Sequence, residues 1–219
     1  MGLYPLNLKL AGRPCAVVGG GRVAERKIRR LIAAGASVTV IAPDLTSALR
    51  EMASRQEICW RQAGYAPGML QGFVLVFCAS NDAKVNERAS KEARASGALV
   101  NDAVTPEQSD FFVPASVERG DLLLTVATGG RSPALSRVLR QELEREFPPA
   151  FGEWLDRLAV LRAELHAYLA TSESRQAFWR HALSESVLEQ IRSGQLDRAE
   201  GEIRDAITGI GTESQDGSR

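Results

Sequence analysis

A short glycine-rich stretch near the N-terminus has the residue pattern whose chemistry is easiest to state. Gly19, Gly20 and Gly21 are followed by Ala24 at the spacing G-x-G-x-x-A. Gly19 permits a tight turn, Gly21 puts no side chain between the backbone and a ligand, and Ala24 permits close packing of a helix on a strand. Such a loop can bind a phosphate or pyrophosphate through its backbone N–H groups. The pattern alone is weak evidence, so the elements around it decide.

The elements on either side of this loop are the ones that a phosphate site needs. The apolar run 15–18 predicts a strand that is buried on both faces. Apolar residues then recur at helical spacing over 23–34, and Gly35 follows where a helix ends. A strand-to-helix turn without a ligand is the less favoured alternative, because this placement is what the pattern requires. The predicted site binds NAD and comprises Gly19, Gly20, Gly21, Arg22 and Val23.

The residue that would bind the adenosine ribose is less clearly marked. The second predicted strand, Ser37–Ile41, is followed by Pro43 and Asp44, and an acid near this place usually bonds the ribose hydroxyls. Asp44 is equally suited to cap a helix that starts near Leu45. No arginine directly follows the strand, which favours NAD over NADP, although Arg22 leaves NADP open. We include Pro43 and Asp44 in the predicted cofactor site.

Strand and helix patterns alternate over the first half of the chain, which predicts an α/β fold with a Rossmann-like parallel sheet. Further strands are predicted at 57–62, 73–77 and 98–100, and Asp82 can cap a helix over 83–96. The runs 115–117 and 122–127 then predict a hairpin, and a helix starts at Ser132 with Pro133 behind it. The predicted regions are an NAD-binding domain over 1–112, a dimerisation region of hairpin plus helix over 113–149, an all-helical C-terminal region over 150–211 and a disordered tail over 212–219.

The bulk composition narrows the kinds of partner. The 219 residues include 27 basic and 27 acidic side chains, so no strong net charge attracts nucleic acid, and we expect none as a partner. The longest apolar run, 73–79, is far shorter than the ~20 residues of a membrane helix, so we expect no membrane span. Cys15, Cys59 and Cys78 lack metal-ligand spacing, which predicts reduced thiols in a cytoplasmic protein and no bound metal.

Three segments together resemble one family. Residues 19–27, G-G-G-R-V-A-E-R-K, are similar to the opening of siroheme synthase N-terminal regions and of stand-alone precorrin-2 dehydrogenases. Residues 110–115, D-F-F-V-P-A, resemble the family's stretch before its hairpin, and residues 128–135, T-G-G-R-S-P-A-L, resemble its T-G-G-x-S-P motif. Order and spacing agree from about residue 6 to residue 147, so the combination is far more specific than the glycine loop.

The resemblance implies an architecture and an activity. The family's chains have a Rossmann domain, a small dimerisation region and a helical C-terminal region, and they assemble as homodimers. Their reaction oxidises the tetrapyrrole precorrin-2 to sirohydrochlorin with NAD as hydride acceptor, and some relatives also insert ferrous iron. A non-catalytic dinucleotide-binding subunit that carries tetrapyrroles is the alternative function.

The resemblance also implies where the substrate binds. Two glycines before a helix start expose N–H groups that could hold a substrate carboxylate or position the nicotinamide, and an arginine fork matches each of the eight carboxylates of precorrin-2. Ordinary helix capping and solvated surface charge are the respective alternatives. The predicted substrate-binding residues are Asn101, Thr128, Gly129, Gly130, Ser132, Arg119 and Arg131.

The catalytic aspartate of the family has no direct counterpart. The family commonly has N-V-V-D after its fifth strand, whereas this chain has Asn101, Asp102, Ala103 and Val104, which puts Val104 at the place of the aspartate. Asp102 is the nearest acid, and we predict it to be the general base. The alternative is that Asp102 is a turn residue that bonds its own backbone.

Overall fold

The computed structural model describes residues 2–216, with side chains for residues 2–210. It divides them into two compact units, the first ending at Val113 and the second beginning at Pro114. The first boundary predicted from the sequence, between residues 112 and 113, lies one residue away. The hairpin, the helix after it and the C-terminal helices all belong to the second unit.

A parallel sheet forms the centre of the first unit. In the described residues it has five strands, β1 (Pro14–Val18), β2 (Ser37–Ile41), β3 (Cys59–Arg61), β4 (Leu75–Cys78) and β5 (Leu99–Asp102). They lie in the order β3-β2-β1-β4-β5, so the strand order reverses between β1 and β4. Val18 is in register with Ile41 on one side and Cys78 on the other. The carboxyl ends therefore meet at one edge, where open α/β sheets bind ligands beside the reversal.

Helices cover both faces of this sheet, because the central strands β1 and β4 are apolar and buried on both sides. Helices α1 (Arg22–Ala33) and α2 (Ser47–Ser54) pack on one face, and α3 (Ala83–Ala95) packs on the other. Cys15 and Val17 of β1 share a buried cluster with Ile28 of α1. Val18 shares the opposite cluster with Ala89 of α3. The predicted Rossmann-like sheet is confirmed, and it fixes the start of α1 at the carboxyl edge.

The second unit is a hairpin followed by helices. The hairpin pairs β6 (Ala115–Arg119) with β7 (Leu122–Val126), antiparallel. Trp154, Leu161, Ile191 and Ile203 are among the residues of a buried helical core. In the described chain α4 contributes no buried residue, and its Leu135, Val138 and Leu139 are exposed. The helices are α4 (Pro133–Glu146), α5 (Ala150–Tyr168), α6 (Ser172–Ala182), α7 (Glu185–Arg192) and α8 (Leu196–Asp216).

The structure differs from three local predictions, or describes only part of the residues concerned. The N-cap of α2 is Thr46, whose hydroxyl accepts the N–H of Leu49, so Asp44 does not cap that helix. Strand β5 continues to Asp102, because its N–H and C=O groups stay paired with neighbouring segments. Residues 212–216 of the predicted disordered tail belong to α8, and residues 217–219 lie outside the described residues. Within the described chain, the search for a helix long and apolar enough to span a bilayer found none.

Candidate dinucleotide site

The first two glycines of the loop are required by the fold itself. Gly19 has φ +121°, and a Cβ there would clash with the backbone carbonyl of Ala79 after β4. A Cβ on Gly20 would clash with the backbone carbonyl of Asp44. The loop is fixed further by hydrogen bonds from Gly19 N–H to Ile41 O and from Thr46 N–H to Gly20 O. These contacts press the loop against the ends of β2 and β4.

Gly21 differs, because no protein group accounts for its missing side chain. It has φ −85°, an ordinary value for any residue, and no atom lies within 4 Å of where its Cβ would stand. The space beside its backbone is therefore open at the edge of the sheet. A pyrophosphate that approaches the backbone would use this space, as the third position of a G-x-G fingerprint allows. The residues present thus fit a dinucleotide.

The start of α1 supplies the donors that such a ligand needs. Gly21 is the N-cap of α1, and it has no side chain to accept the first N–H groups of the helix. Five other helices of the chain have a polar N-cap that accepts such an N–H, namely Thr46, Asp82, Ser132, Thr171 and Ser184. The N–H groups at Arg22 and Val23 and the positive end of the helix dipole therefore face the open space without a side-chain acceptor.

Asp44 lies at the carboxyl end of β2 with its carboxylate in solvent. Its side chain is 85% exposed, and its ion pair with Arg50 is long, at 3.8 Å. Since Thr46 caps α2, the Asp44 carboxylate is not needed as the N-cap of that helix. Pro43 beside it is also exposed. Both residues are accessible next to the glycine loop, as a ribose-binding position requires.

Asn101 and Lys27 form a pair that the sequence did not reveal. Nζ of Lys27 donates to Oδ1 of Asn101 at 2.6 Å and lies 4.9 Å from the ring centroid of Phe77. Nδ2 of Asn101 donates to the carbonyl of Phe111 at 2.9 Å. Burial lowers the pKa of the Lys27 ammonium, and the neighbouring charges of Arg26 and Arg30 lower that pKa further. Because both polar ends of Asn101 are occupied, its predicted contact with substrate is not favoured.

Asp102 is also committed to the fold. Its side chain is only 3% exposed, and Oδ1 accepts the backbone N–H of Val104 at 2.8 Å and of Thr105 at 2.9 Å. A general base must reach a proton on the substrate. The geometry instead matches the alternative in which Asp102 closes its own turn. Val104, at the place of the family's aspartate, is 51% exposed.

The turn before α4 is built by its own side chains. Oγ1 of Thr128 accepts the N–H of Ser132 at 3.2 Å, and Oγ of Ser132 caps α4 by accepting the N–H of Leu135. Gly129 and Gly130 have φ of +60° and +78°, so the backbone requires glycine at both. Nothing lies within 4 Å of where their Cβ atoms would stand, which leaves the turn open to a ligand.

The two predicted substrate arginines have different surroundings. Arg119 donates to the carbonyls of Phe147 at 2.9 Å, Glu118 at 2.9 Å and Glu144 at 3.4 Å. It therefore satisfies carbonyls at the C-terminus of α4, and its predicted role as a carboxylate ligand stays a prediction. Arg131 is exposed, and no side-chain partner for it occurs in the residues that the structure describes.

The sequence did not indicate that Lys27 is a partly buried ammonium bonded to Asn101 near the candidate site. Its side chain is charged, yet it shares the stripe of Ala24, Ile28 and Leu31, which are buried. That i, i+3, i+4, i+7 spacing placed it beside the core.

In the part of the chain that the structure describes, no group of three or more His, Cys, Asp or Glu side chains is arranged to hold a metal ion.

The fold and the loop define a class of protein, the Rossmann-type dinucleotide-binding proteins. A family model described as "Putative NAD(P)-binding" matches residues 6–115, and one described as "Sirohaem synthase dimerisation region" matches residues 150–207. The first match covers half of the chain, and the chain belongs to this NAD(P)-binding family. The predicted dinucleotide cofactor is thereby confirmed. The match described as a dimerisation region lies in the C-terminal helices, after the dimerisation region that the sequence predicts at 113–149, and that position stays a prediction.

Relatives and a solved structure agree with the resemblance. The siroheme synthase of Methylobacillus flagellatus is 37% identical over 211 residues, which are 96% of this chain and 45% of the relative. That of Nitrosococcus oceani is 38% identical over 209 residues, or 95% of this chain and 45% of the relative. The chain thus spans less than half the length of these curated relatives. The solved structure of SirC, precorrin-2 dehydrogenase, is 26% identical with a TM-score of 0.73 and covers 94% of this chain and 100% of its own.

Proposed function

We propose that this chain is an NAD-dependent precorrin-2 dehydrogenase, which oxidises precorrin-2 to sirohydrochlorin in siroheme biosynthesis. The observation that carries the proposal is the open space at Gly21 over the uncapped start of α1. The names of the relatives, siroheme synthase and precorrin-2 dehydrogenase, supply the substrate and reaction. The exposed Asp44, without an arginine directly after β2, supports NAD as the cofactor.

The chain's own residues bind and orient the cofactor. The backbone N–H groups of Arg22 and Val23 bind the pyrophosphate, and the dipole of α1 stabilises its charge. The carboxylate of Asp44 accepts hydrogen bonds from the ribose hydroxyls, beside Pro43. NAD, when bound, accepts the hydride that leaves precorrin-2. Holding the two reactants in a fixed geometry supplies a large part of the rate acceleration.

The proton that leaves the substrate needs an acceptor other than Asp102. Its carboxylate is buried and bonded to two backbone N–H groups, so it lacks the access that a base needs. We assign Asp102 to the turn that follows β5. The acceptor is then water or a carboxylate of the substrate itself.

The candidate substrate-binding residues of the turn before α4 fall into two groups: those exposed to solvent and those whose side chains form hydrogen bonds within the turn. Gly129, Gly130 and Arg131 are exposed on the turn before α4, and we propose that they bind substrate carboxylates. Thr128 and Ser132 hold that turn in shape through their hydrogen bonds. Their substitution would act through the turn conformation.

We further propose that the chain forms a homodimer through its second unit. Leu123 of β7 and Leu135, Val138 and Leu139 of α4 are 37–49% exposed. A two-stranded hairpin with one exposed helix is a poor core by itself, so a second copy would bury this face. Sedimentation should give a dimer at micromolar concentration, and Val138→Glu should shift it toward monomer. A wild-type monomer would contradict the proposal.

A cytoplasmic location is part of the same proposal. Cys15 and Cys78 are buried free thiols, and burial raises the pKa of Cys78 to about 11, which keeps it protonated and unreactive. Free cysteines of this kind are usual in reducing compartments.

A tetrapyrrole carrier without catalysis is the second candidate, and one observation favours it. Val104 stands where the family has an aspartate, and Asp102 is committed to its turn. The deciding experiment mixes the protein anaerobically with precorrin-2 and NAD and follows the nicotinamide absorbance. Catalytic NADH formation that Gly21→Val abolishes supports the dehydrogenase. Binding of the tetrapyrrole without NADH formation supports the carrier.

A further inference from the structure

A row of arginines follows the exposed side of α1, starting next to the glycine loop. Arg22, Arg26, Arg29 and Arg30 are all exposed, and together with Glu25 they line an open groove of about 530 Å³. We call this the arginine groove. The chain as a whole has no formal net charge, so the groove is a local concentration of positive charge and not part of a generally basic surface.

The single acid in the groove compensates little of this charge. Oε1 of Glu25 accepts from the guanidinium of Arg29 at 2.8 Å, and Oε2 accepts the hydroxyl of Thr46 at 2.8 Å. Arg22 and Arg26 have no carboxylate within ion-pair distance among the residues that the structure describes. At least two guanidinium groups are therefore open to an anion.

The arrangement opposes helix stability. Arg22 and Arg26, and Arg26 and Arg30, are like charges at i, i+4, a spacing that destabilises a helix. The lowered pKa of Lys27, which is due to burial and then to Arg26 and Arg30, shows the same repulsion. If this helix face were only solvated, alternating acidic and basic residues would stabilise the helix more than a row of arginines does. The groove is thus best explained by an anionic ligand.

The spacing of the arginines indicates the kind of ligand. Successive positions one helical turn apart have Cβ atoms about 5–6 Å apart, so the ligand carries several anionic groups along one edge. The pyrophosphate of a dinucleotide is already matched by backbone N–H groups at the start of the helix. Nucleic acid is disfavoured, because tight binding usually engages about 6–10 phosphates and this groove offers a few cations on two to three helical turns.

We propose that the arginine groove binds peripheral carboxylates of the tetrapyrrole substrate, with Arg26 at its centre. The proposal rests on the proposed function, since the eight carboxylates of precorrin-2 supply an edge of repeated anions. Arginine forks pair with carboxylates in two parallel hydrogen bonds. The groove contributes to substrate affinity and leaves the affinity for NAD unchanged.

Uroporphyrin is a stable probe with eight carboxylates and needs no turnover. Its fluorescence is titrated with wild type, Arg26→Glu and Arg26→Lys, and coproporphyrin, which has four carboxylates, is titrated in parallel. Lys84→Glu is the matched control, because Lys84 is exposed on α3, on the opposite face of the sheet, and the charge change is equal. Circular dichroism checks that each variant is folded.

Arg26→Glu should weaken uroporphyrin binding at least fivefold at low salt, which is about 1 kcal/mol. The loss should shrink at high salt and with coproporphyrin, and Arg26→Lys should retain most of the affinity. Lys84→Glu should bind like wild type. Equal loss in Arg26→Glu and Lys84→Glu would overturn the proposal, because it would reflect overall charge.

Other results separate this proposal from the proposed function. If Arg26→Glu binds uroporphyrin like wild type while the wild type oxidises precorrin-2, the groove proposal fails and the dehydrogenase stands. If Arg26→Glu loses affinity for NAD or NADP and not for uroporphyrin, the groove belongs to the dinucleotide, and the proposal fails. If uroporphyrin binds through Arg26 and precorrin-2 is not oxidised, the groove stands and the proposed reaction fails.

Discussion

Nζ of Lys27 lies 2.6 Å from Oδ1 of Asn101, and this hydrogen bond joins the middle of α1 to the carboxyl end of β5. Nδ2 of the same asparagine donates to the carbonyl of Phe111. Asn101 therefore holds a helix and the segment after β5 on the sheet at once. The ring of Phe77 beneath the ammonium adds a cation–π contact at 4.9 Å.

Asn101→Ala should destabilise the first unit. The substitution leaves a half-buried ammonium and a carbonyl without their partners, and each such loss costs about 1–3 kcal/mol. We expect the free energy of unfolding in urea to fall by about 2 kcal/mol or more. Lys27→Met in the same chain removes the unpaired charge and should restore part of the loss. A change below about 0.5 kcal/mol would show that the pair contributes little.

Gly21→Val should remove NAD binding without unfolding the chain. Its φ of −85° suits valine, and no protein atom lies within 4 Å of the new Cβ, so the melting temperature should stay close to wild type. The side chain would occupy the pyrophosphate space, and affinity should fall at least tenfold, or about 1.4 kcal/mol. Gly20→Ala is the contrasting variant, because its Cβ clashes with Asp44 and the fold should suffer. NAD binding by folded Gly21→Val at wild-type affinity would place the cofactor elsewhere.

Asp102→Asn should have little effect on turnover. Asparagine keeps an Oδ1 that can accept the N–H groups of Val104 and Thr105, so the turn persists. We expect kcat to stay within about threefold of wild type, whereas loss of a true base costs about 100- to 10,000-fold. Steady-state kinetics with precorrin-2 distinguish the two ranges, and a loss in the larger range would restore Asp102 as the base. Val104→Asp, which puts a carboxylate at an exposed position, should raise turnover.

Glu92 should make the stability of the first unit depend on pH in the acidic range. Its carboxylate accepts Tyr65 OH at 2.6 Å, Gly68 N–H at 3.0 Å and Leu70 N–H at 2.8 Å. Burial works to raise its pKa, but these three hydrogen bonds outweigh burial and lower the pKa below 4.5. A carboxyl whose pKa is lower in the folded state than in the unfolded state stabilises the fold at pH values above its unfolded-state pKa. That stabilisation is lost as the pH falls through the folded-state pKa.

The matching measurement compares wild type with Glu92→Gln in urea at several pH values. At pH 7 the variant should be less stable by about 1–2 kcal/mol, because a charged acceptor is lost. The difference should narrow as the pH falls below 4.5, the ordinary value for this group. A difference that stays constant over this range would show that ionisation of Glu92 contributes nothing.

The sequence was sufficient where a feature depends on neighbouring residues. Asp82 caps α3, Ser132 caps α4, and β2 spans Ser37–Ile41, all as predicted. Each of these depends on local hydrogen bonds or on apolar spacing. The glycine loop belongs to the same group, because its strand and helix adjoin it in the chain.

The roles of polar side chains depended on partners far away in sequence. Asn101 is occupied by Lys27 and Phe111, and Arg119 is occupied by carbonyls of Glu144 and Phe147. No local pattern reveals such partners, so both residues looked available for substrate. Asp102 is the intermediate case, since its turn partners are near in sequence and the turn was one of the two alternatives.

The most direct test of the central claim is the stoichiometry of one anaerobic reaction. Purified protein is mixed with precorrin-2 and excess NAD, and NADH and sirohydrochlorin are measured in the same sample by their absorbance. The account predicts one NADH for each sirohydrochlorin over many turnovers, with neither product formed by Gly21→Val. Sirohydrochlorin without NADH, or neither product from folded wild type that binds NAD, would contradict it.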